Sequence, residues 1–221
     1  MSRKSGKLIV IDGTDGSGKA TQTKLLVKRL KKQNGIQVRT LDFPQYTSNF
    51  FGRLLDECLH GKQEGFSTLD PHITSVLYAA DRFESKRKIE KWIEQGMIVV
   101  LDRYVSANQI HQGGKIADIK KREEFLKWLD KMEYEIFGIP RPDVLIYLSI
   151  PVEFSVQLLD AEKKESDIVE TDRIYLENSA KSAEWLCRRY KWNKISCTRK
   201  GALRSIEEIH EEILLKIEAH M

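Results

Sequence analysis

Cysteine, proline and long apolar runs are scarce in this chain, and each scarcity excludes something. The 221 residues carry three cysteines, Cys58, Cys187 and Cys197, an odd number without CxxC spacing. Neither a disulfide framework nor a zinc site is implied, and a reducing compartment is the natural home. The longest apolar runs, such as Leu8 to Ile11 and Met97 to Leu101, fall short of the roughly 20 residues that cross a bilayer. Asp12 ends the first of them too early for a signal peptide, so a soluble, cytoplasmic protein with no membrane partner is expected. Five prolines and 13 glycines rule out a fibrous or low-complexity chain. Charge is nearly balanced, 37 Lys and Arg against 33 Asp and Glu for a net +4, so bulk charge points to no nucleic-acid partner. What remains, 41% hydrophobic and 32% charged, can fill the core of one domain.

Short β-branched runs alternate with long amphipathic stretches. The runs are KLIVID (7–12), IQVRTLDF (36–43), MIVVLD (97–102), DVLIYLSI (143–150) and KISC (194–197). Runs without polar alternation suit strands buried on both faces, and the βα alternation predicts an α/β fold with a parallel sheet. Asp70-Pro71 reads as an N-cap followed by proline at the first helical position, and Ser205 with Glu208 as a capping box. The stripe Ile206, Ile209, Ile213, Ile217 marks a terminal helix packed on the sheet. The Lys28–Lys32 cluster before Asn34-Gly35 reads as cations offsetting a helix C-terminus. EKKESDIVETD (162–172) is the candidate mobile loop.

Directly after the first strand comes GTDGSGKAT, from Gly13 to Thr21, with Asp15, Gly16, Ser17 and Gly18 inside it and Lys19 following. Glycines let the backbone curl so that successive N–H groups face an anion, the next helix adds its N-terminal dipole, and Lys19 supplies a point charge. The pattern predicts a nucleoside triphosphate site. The residue after Lys19, normally a Ser or Thr that holds Mg²⁺, is Ala20, with Thr21 one step on. Mg²⁺ is still expected, held by nucleotide phosphates, waters and a carboxylate such as Asp102 or Asp15.

In the helix opened by Pro71, the 100° step gathers Tyr78, Asp81, Arg82 and Ser85 on one side and Ile73, Val76, Leu77, Ala80 and Phe83 opposite. The apolar side is expected to face the core, and the polar side to offer a ring and a guanidinium to a nucleobase. Asp102-Arg103-Tyr104 falls at the end of the third strand, where open α/β sheets bind ligands, so Arg103 should lie near the cradle. The loop Phe43-Pro44-Gln45-Tyr46, with Arg53 beyond it, should open on the same edge.

These motifs closely resemble the thymidylate kinase family over nearly the whole length: GTDGSGKAT, FPQY…GRLL, LYAADR, DRYVSANQIHQGG, RPDVLIYL, DIVETDRIYL and SIEEIHEEI. The resemblance implies a P-loop NTPase-type three-layer sandwich, a five-stranded parallel sheet surrounded by helices. Residues 1–221 would form one nucleoside monophosphate kinase domain with a lid near 160–173. The implied reaction passes the ATP γ-phosphate to dTMP, and the implied assembly is a homodimer. By matching motif, Asp15 would bind the sugar 3′-hydroxyl, Phe43 and Tyr78 would flank the base, Arg53 and Arg103 would hold the monophosphate, and Arg82 and Asn108 would read the thymine edge. His111 stands where the family more often has Tyr, a ring that crowds the 2′ position. Arg199, in Thr198-Arg199-Lys200, would lie beside adenine.

A monophosphate acceptor is already an anion, so catalysis needs converging cations rather than a base. Lys19 and Arg103 are two; the third should come from the lid. The position where such lids carry Arg is Ile168, which leaves Lys163, Lys164 or Arg173. Two other readings use the same cradle. A deoxynucleoside kinase would need a carboxylate base after the second strand, for which only Asp42 stands ready, and a non-catalytic nucleotide sensor would explain Ala20 and Ile168.

Overall fold

The computed structural model describes residues 6–60, 65–162 and 173–220. Five parallel strands, β1 (Lys7–Gly13), β2 (Val38–Asp42), β3 (Ile98–Asp102), β4 (Val144–Ser149) and β5 (Asn193–Ser196), form one sheet in the order β2-β3-β1-β4-β5. The helices are α1 (Lys19–Lys31), α2 (Phe50–His60), α3 (Pro71–Glu94), α4 (Val105–Gly114), α5 (Ile119–Asp130), α6 (Val152–Glu162), α7 (Arg173–Tyr190) and α8 (Ile206–Glu218). A π-helical turn, Lys131–Ile136, continues α5, and a small antiparallel pair, β6 (Thr198–Arg199) and β7 (Ala202–Leu203), precedes α8. Among the described residues no helix is long and apolar enough to cross a membrane. All three cysteines are free thiols.

The strands lie where the apolar runs placed them: β2, β3 and β4 are trimmed by one or two residues at their ends, β1 runs on to Gly13, and β5 begins one residue earlier. In β1 successive side chains enter opposite layers: Leu8 and Val10 join Ile110 and Leu186, while Ile9 and Ile11 join Leu26, Leu30, Ile209 and Ile213. This is why β1 shows no polar alternation. Each such side chain, fully buried, contributes about 1.5–3 kcal/mol. The strand β2 differs: Arg39, Thr40 and Asp42 are exposed, because it lies at the sheet edge. The expected caps are present, with Asp70 accepting from the His72 amide and Ser205 and Glu208 forming a reciprocal box. The stripe on α8 needs one correction: Ile209, Ile213 and Ile217 are buried but Ile206, at the first turn, is 49% exposed.

The larger correction concerns α3. Ile73, Val76 and Phe83 point outward, 56%, 40% and 48% exposed, and Asp81, Arg82 and Ser85 are buried; of the side expected to face the core, Leu77 does pack, against Leu55, Leu59 and Phe66. Polar groups go inside here because partners wait for them. Asp81 accepts from the Gln45 amide at 3.0 Å and from Asn49 Nδ2 at 2.8 Å, which pins the loop after β2. Gly52 lets α2 approach that loop, since a Cβ there would stand 2.0 Å from the Gln45 carbonyl oxygen. Glu84 accepts from the amides of Phe50 and Phe51, closing the start of α2.

Candidate active site

The site grows from the carboxyl ends of β1 and β3, next to the point where chain connections leave the sheet in opposite directions. Gly16 and Gly18 take φ of 70° and 80°, left-handed values that a side chain would strain. Gly18 is the N-cap of α1, and no side chain caps that helix or places an acid in its first turn. The first N–H groups of α1 therefore stay open toward an anion. Ser17 Oγ is buried without a hydrogen-bond partner in the same loop.

Lys19 donates to Asp15 Oδ1 at 3.2 Å and to the Thr14 carbonyl at 3.4 Å. Arg103 meets the same Asp15 oxygen through Nη2. Burial alone would raise the Asp15 carboxyl; the charges of Arg103 and then Lys19 outweigh it and hold Asp15 well below the usual carboxylate range. Arg103 itself sits at φ 64°, unusual for a side-chain-bearing residue, with its amide donating to the Ile11 carbonyl at 3.0 Å. The strand register Ile11↔Asp102 is thus extended one residue beyond β3 and aims the guanidinium back over the loop. Asp102 lines the same cavity; burial raises its carboxyl against the lowering charges of Lys19 and Arg103.

The cavity measures about 410 Å³ and runs from Gly18, Lys19 and Thr21 at one end to Phe43, Tyr78, Arg82, Asn108 and His111 at the other. Phe43 is 5% exposed, its ring 6.0 Å from that of Tyr104, and Tyr78 packs beside Leu55 and Leu59. Arg82 is 2% exposed and forms a bidentate pair with Glu133, Nε to Oε2 at 2.7 Å and Nη2 to Oε1 at 2.6 Å. Asn108 Nδ2 donates to the same Oε1 at 3.0 Å and to the Ser75 carbonyl at 3.1 Å.

Sequence reasoning missed Glu133. Its signal was present: Phe125, Leu129 and Met132 mark one buried helical face, and an acid next to Met132 on that face falls in the core. Also missed was Asp12, wholly buried, which accepts from the Gly13 amide at 2.8 Å and from Ser106 Oγ at 2.5 Å and so ties α4 to the root of the glycine loop.

His111 lies one helical turn from Asn108 on α4 and stacks on Tyr175, 5.6 Å between centroids and 8° between planes. Its Nδ1 faces Ser179 Oγ at 3.2 Å, and its Nε2 is buried without a partner. Burial first, then the charges of Arg103 and Lys19, push the ring down to about 3, with Asp15 opposing. The unfolded chain protonates a histidine near pH 6.5, so between these values the unfolded state holds the extra proton. Stability is therefore expected to fall as pH drops below about 6.5, by up to about 1.4 kcal/mol per pH unit from this ring. Denaturant midpoints between pH 7 and 4.5 should be flatter for His111→Phe, which keeps a ring on Tyr175, than for wild type. Parallel curves would contradict the buried, neutral imidazole.

Several expected residues are not brought to the cavity. Arg53 is exposed and donates to the Ser48 carbonyl at 3.3 Å; the buried face of α2 is Gly52, Leu55 and Leu59, and Arg53 lies about 100° round from Gly52. Arg199, on β6, is exposed and pairs with Glu208 at 3.3 Å. Arg173, at the start of α7, is 70% exposed and pairs with Glu177 at 3.3 Å. Lys163, Lys164 and Ile168 lie outside the described residues.

A five-stranded parallel sheet with an uncapped, glycine-led helix at its switch point defines a nucleotide-binding protein of the P-loop class. A model of the thymidylate kinase family matches residues 11–213. The chain is 30% identical over 215 residues to the thymidylate kinase of Plasmodium falciparum, a match spanning 97% of this chain and 91% of that one. It is 34% identical over 214 residues to a probable thymidylate kinase of Pyrococcus abyssi, spanning 95% and 94%. The structure of thymidylate kinase from Candida albicans has the same fold, with a TM-score of 0.76 at 21% identity over 97% of this chain and 92% of that one. The chain belongs to the thymidylate kinase family, whose activity is ATP-dependent phosphorylation of dTMP.

Proposed function

We propose that this chain carries ATP and dTMP into the two ends of the 410 Å³ cavity and passes the γ-phosphate between them over Asp15. The observation that carries this reading is the meeting of Lys19 and Arg103 on one oxygen of Asp15, between the open end of α1 and the Arg82–Asn108 wall. Incoming phosphates would draw both cations onto the transfer path, where charge develops. The acceptor is already an anion, so the protein has only to align it and cancel charge. Asp15 Oδ2 is left for the 3′-hydroxyl of dTMP, and Phe43 and Tyr78 would flank the base. The test is direct: purified chain with ATP, Mg²⁺ and dTMP should form ADP and dTDP. Phosphorylation of thymidine but not dTMP would instead favour the deoxynucleoside kinase reading, and binding of both nucleotides without ADP a sensor.

Mg²⁺ fits this site through a carboxylate rather than a hydroxyl. Ala20 has no side-chain oxygen to offer, Asp15 is already held by two cations, and Asp102 is a buried carboxyl facing the cavity. Among the described residues no group of three or more acidic, His or Cys ligands could hold a metal unaided, so nucleotide phosphates and water would complete the shell. Bound with ATP, the ion supplies charge neutralisation at the phosphates. Of the lid cations, Arg173 stands on the surface and would need closure to reach the path.

The same proposal includes a homodimer and a cytoplasmic setting. The outward stripe of Ile73, Val76 and Phe83 on α3 gives an apolar face that a second copy would cover about a twofold axis. Phe83→Glu is expected to convert a dimer to a monomer in sedimentation velocity; a dimer that survives it would place the interface elsewhere. Three free thiols suit a reducing compartment.

A further inference from the structure

Glu133 stands behind the wall that the base would face and touches both residues of that wall. It is 0% exposed, on the π-helical turn, where the Phe137 amide reaches back five residues to the Met132 carbonyl at 2.9 Å. Its two oxygens take Nε and Nη2 of Arg82 and one N–H of Asn108.

The consequence lies in what those contacts leave over. A guanidinium has five N–H donors and no acceptor. With Nε and Nη2 turned to Glu133, Nη1 of Arg82 donates to no described group, and Arg82 lines the cavity. An Asn amide has two donors and one acceptor oxygen. Both donors of Asn108 are used, on Glu133 Oε1 and the Ser75 carbonyl, so Oδ1 is what remains for the cavity. The amide cannot turn over, because a flip would set Oδ1 against a carboxylate oxygen and a carbonyl oxygen at once.

We propose that Glu133 is a positioning residue that sets the hydrogen-bonding polarity of the base edge, Arg82 as donor beside Asn108 as acceptor. That polarity matches a 4-keto pyrimidine, whose O4 accepts and whose N3–H donates, and opposes a 4-amino pyrimidine, whose amino group donates and whose N3 accepts. Thymine and uracil fit and cytosine does not. The proposal rests on the reading above, that the base lies against Arg82 and Asn108. Buried sites that hydrogen-bond a substrate group reject an analogue with the wrong group strongly, because polar atoms on both sides are left unpaired.

The test compares kcat/KM for dTMP, dUMP and dCMP in wild type and in Glu133→Gln. In the variant one of the two acceptor oxygens becomes an NH2 group: turned to Asn108 it forces that side chain to flip and present a donor to the cavity, and turned to Arg82 Nε it sets donor against donor and displaces the guanidinium. The dTMP over dCMP ratio is expected to fall at least ~10-fold, mainly through the KM for dTMP, with kcat at saturation held within ~3-fold. The dTMP over dUMP ratio should stay put, since the 5-methyl group is not read by this edge. A parallel loss on all three nucleotides, with the dTMP over dCMP ratio unchanged, overturns the proposal and leaves Glu133 a purely structural partner of Arg82. If Glu133→Gln does not fold, Glu133→Asp keeps the charge but is too short to hold both neighbours, and the same fall in the dTMP over dCMP ratio is required of it. A wild-type chain that ignores dTMP overturns the functional reading as well; a wild type active on dTMP with no ratio change in either variant overturns this inference alone.

Discussion

Replacing Arg103 with alanine is expected to lower kcat for dTDP formation by about 10²-fold or more, the size of effect seen when a preorganised transition-state contact is removed. Three features single it out from the 37 basic residues. Its backbone sits at φ 64°, its amide is fixed on the Ile11 carbonyl, and its guanidinium shares an oxygen of Asp15 with Lys19. Strain at such a position persists only where surrounding structure imposes it, and here the end of β3 and the glycine loop both do. Arg103→Lys keeps the charge but loses the planar fork, so its rate should fall between wild type and alanine. Steady-state rates at saturating ATP and dTMP decide it. A kcat for Arg103→Ala within threefold of wild type would remove Arg103 from the reaction path.

The largest expected change in stability comes from Arg82→Met. Burial tends to lower the Arg82 guanidinium, and the Glu133 carboxylate beside it more than compensates, leaving it raised. Both side chains are almost fully buried, at 2% and 0% exposure, so removing one leaves the other without a counter-charge or solvent. Breaking such a pair costs about 3–5 kcal/mol. For a chain of this size each kcal/mol is worth roughly 2–4 °C, so Tm should drop by roughly 6–20 °C. The double replacement Arg82→Met with Glu133→Leu should recover most of the loss, since an apolar pair removes the orphaned charge. Scanning calorimetry of the three proteins tests both parts. A single variant as stable as wild type would mean that Glu133 reaches water or another cation.

Much of the molecule was legible in the order of residues. The five apolar runs became the five strands, and Asp70, Pro71, Ser205 and Glu208 act where helix ends called for them. The glycine loop was equally plain, because φ near 70–80° at Gly16 and Gly18 and an uncapped helix start are local properties of a few neighbouring residues. Lys19 came with that loop, Arg103 followed from the rule that ligands gather at strand ends, and Asp15 was marked by the family resemblance.

Helical spacing separated two faces of α3, Leu77 and Tyr78 sharing one cluster aside, but could not say which one the protein would cover. Periodicity records that side chains differ around an axis; burial depends on what other segments bring to each side. Gln45, Asn49 and Glu133 bring hydrogen bonds to the polar face, and so Ile73, Val76 and Phe83 are left outside. Arg53 shows the same limit on a smaller scale, since the close approach of Gly52 to Gln45 turns α2 so that Arg53 faces water.

The chain by itself therefore determined the fold class, the phosphate loop and the few cations around it, all of which rest on neighbours within a turn or a strand. Only the tertiary structure decided that Arg82 and Asn108 share Glu133, 51 and 25 positions away respectively. A buried charge is tolerated only where distant segments meet to satisfy it, and that meeting is a property of packing, written in no single stretch of sequence.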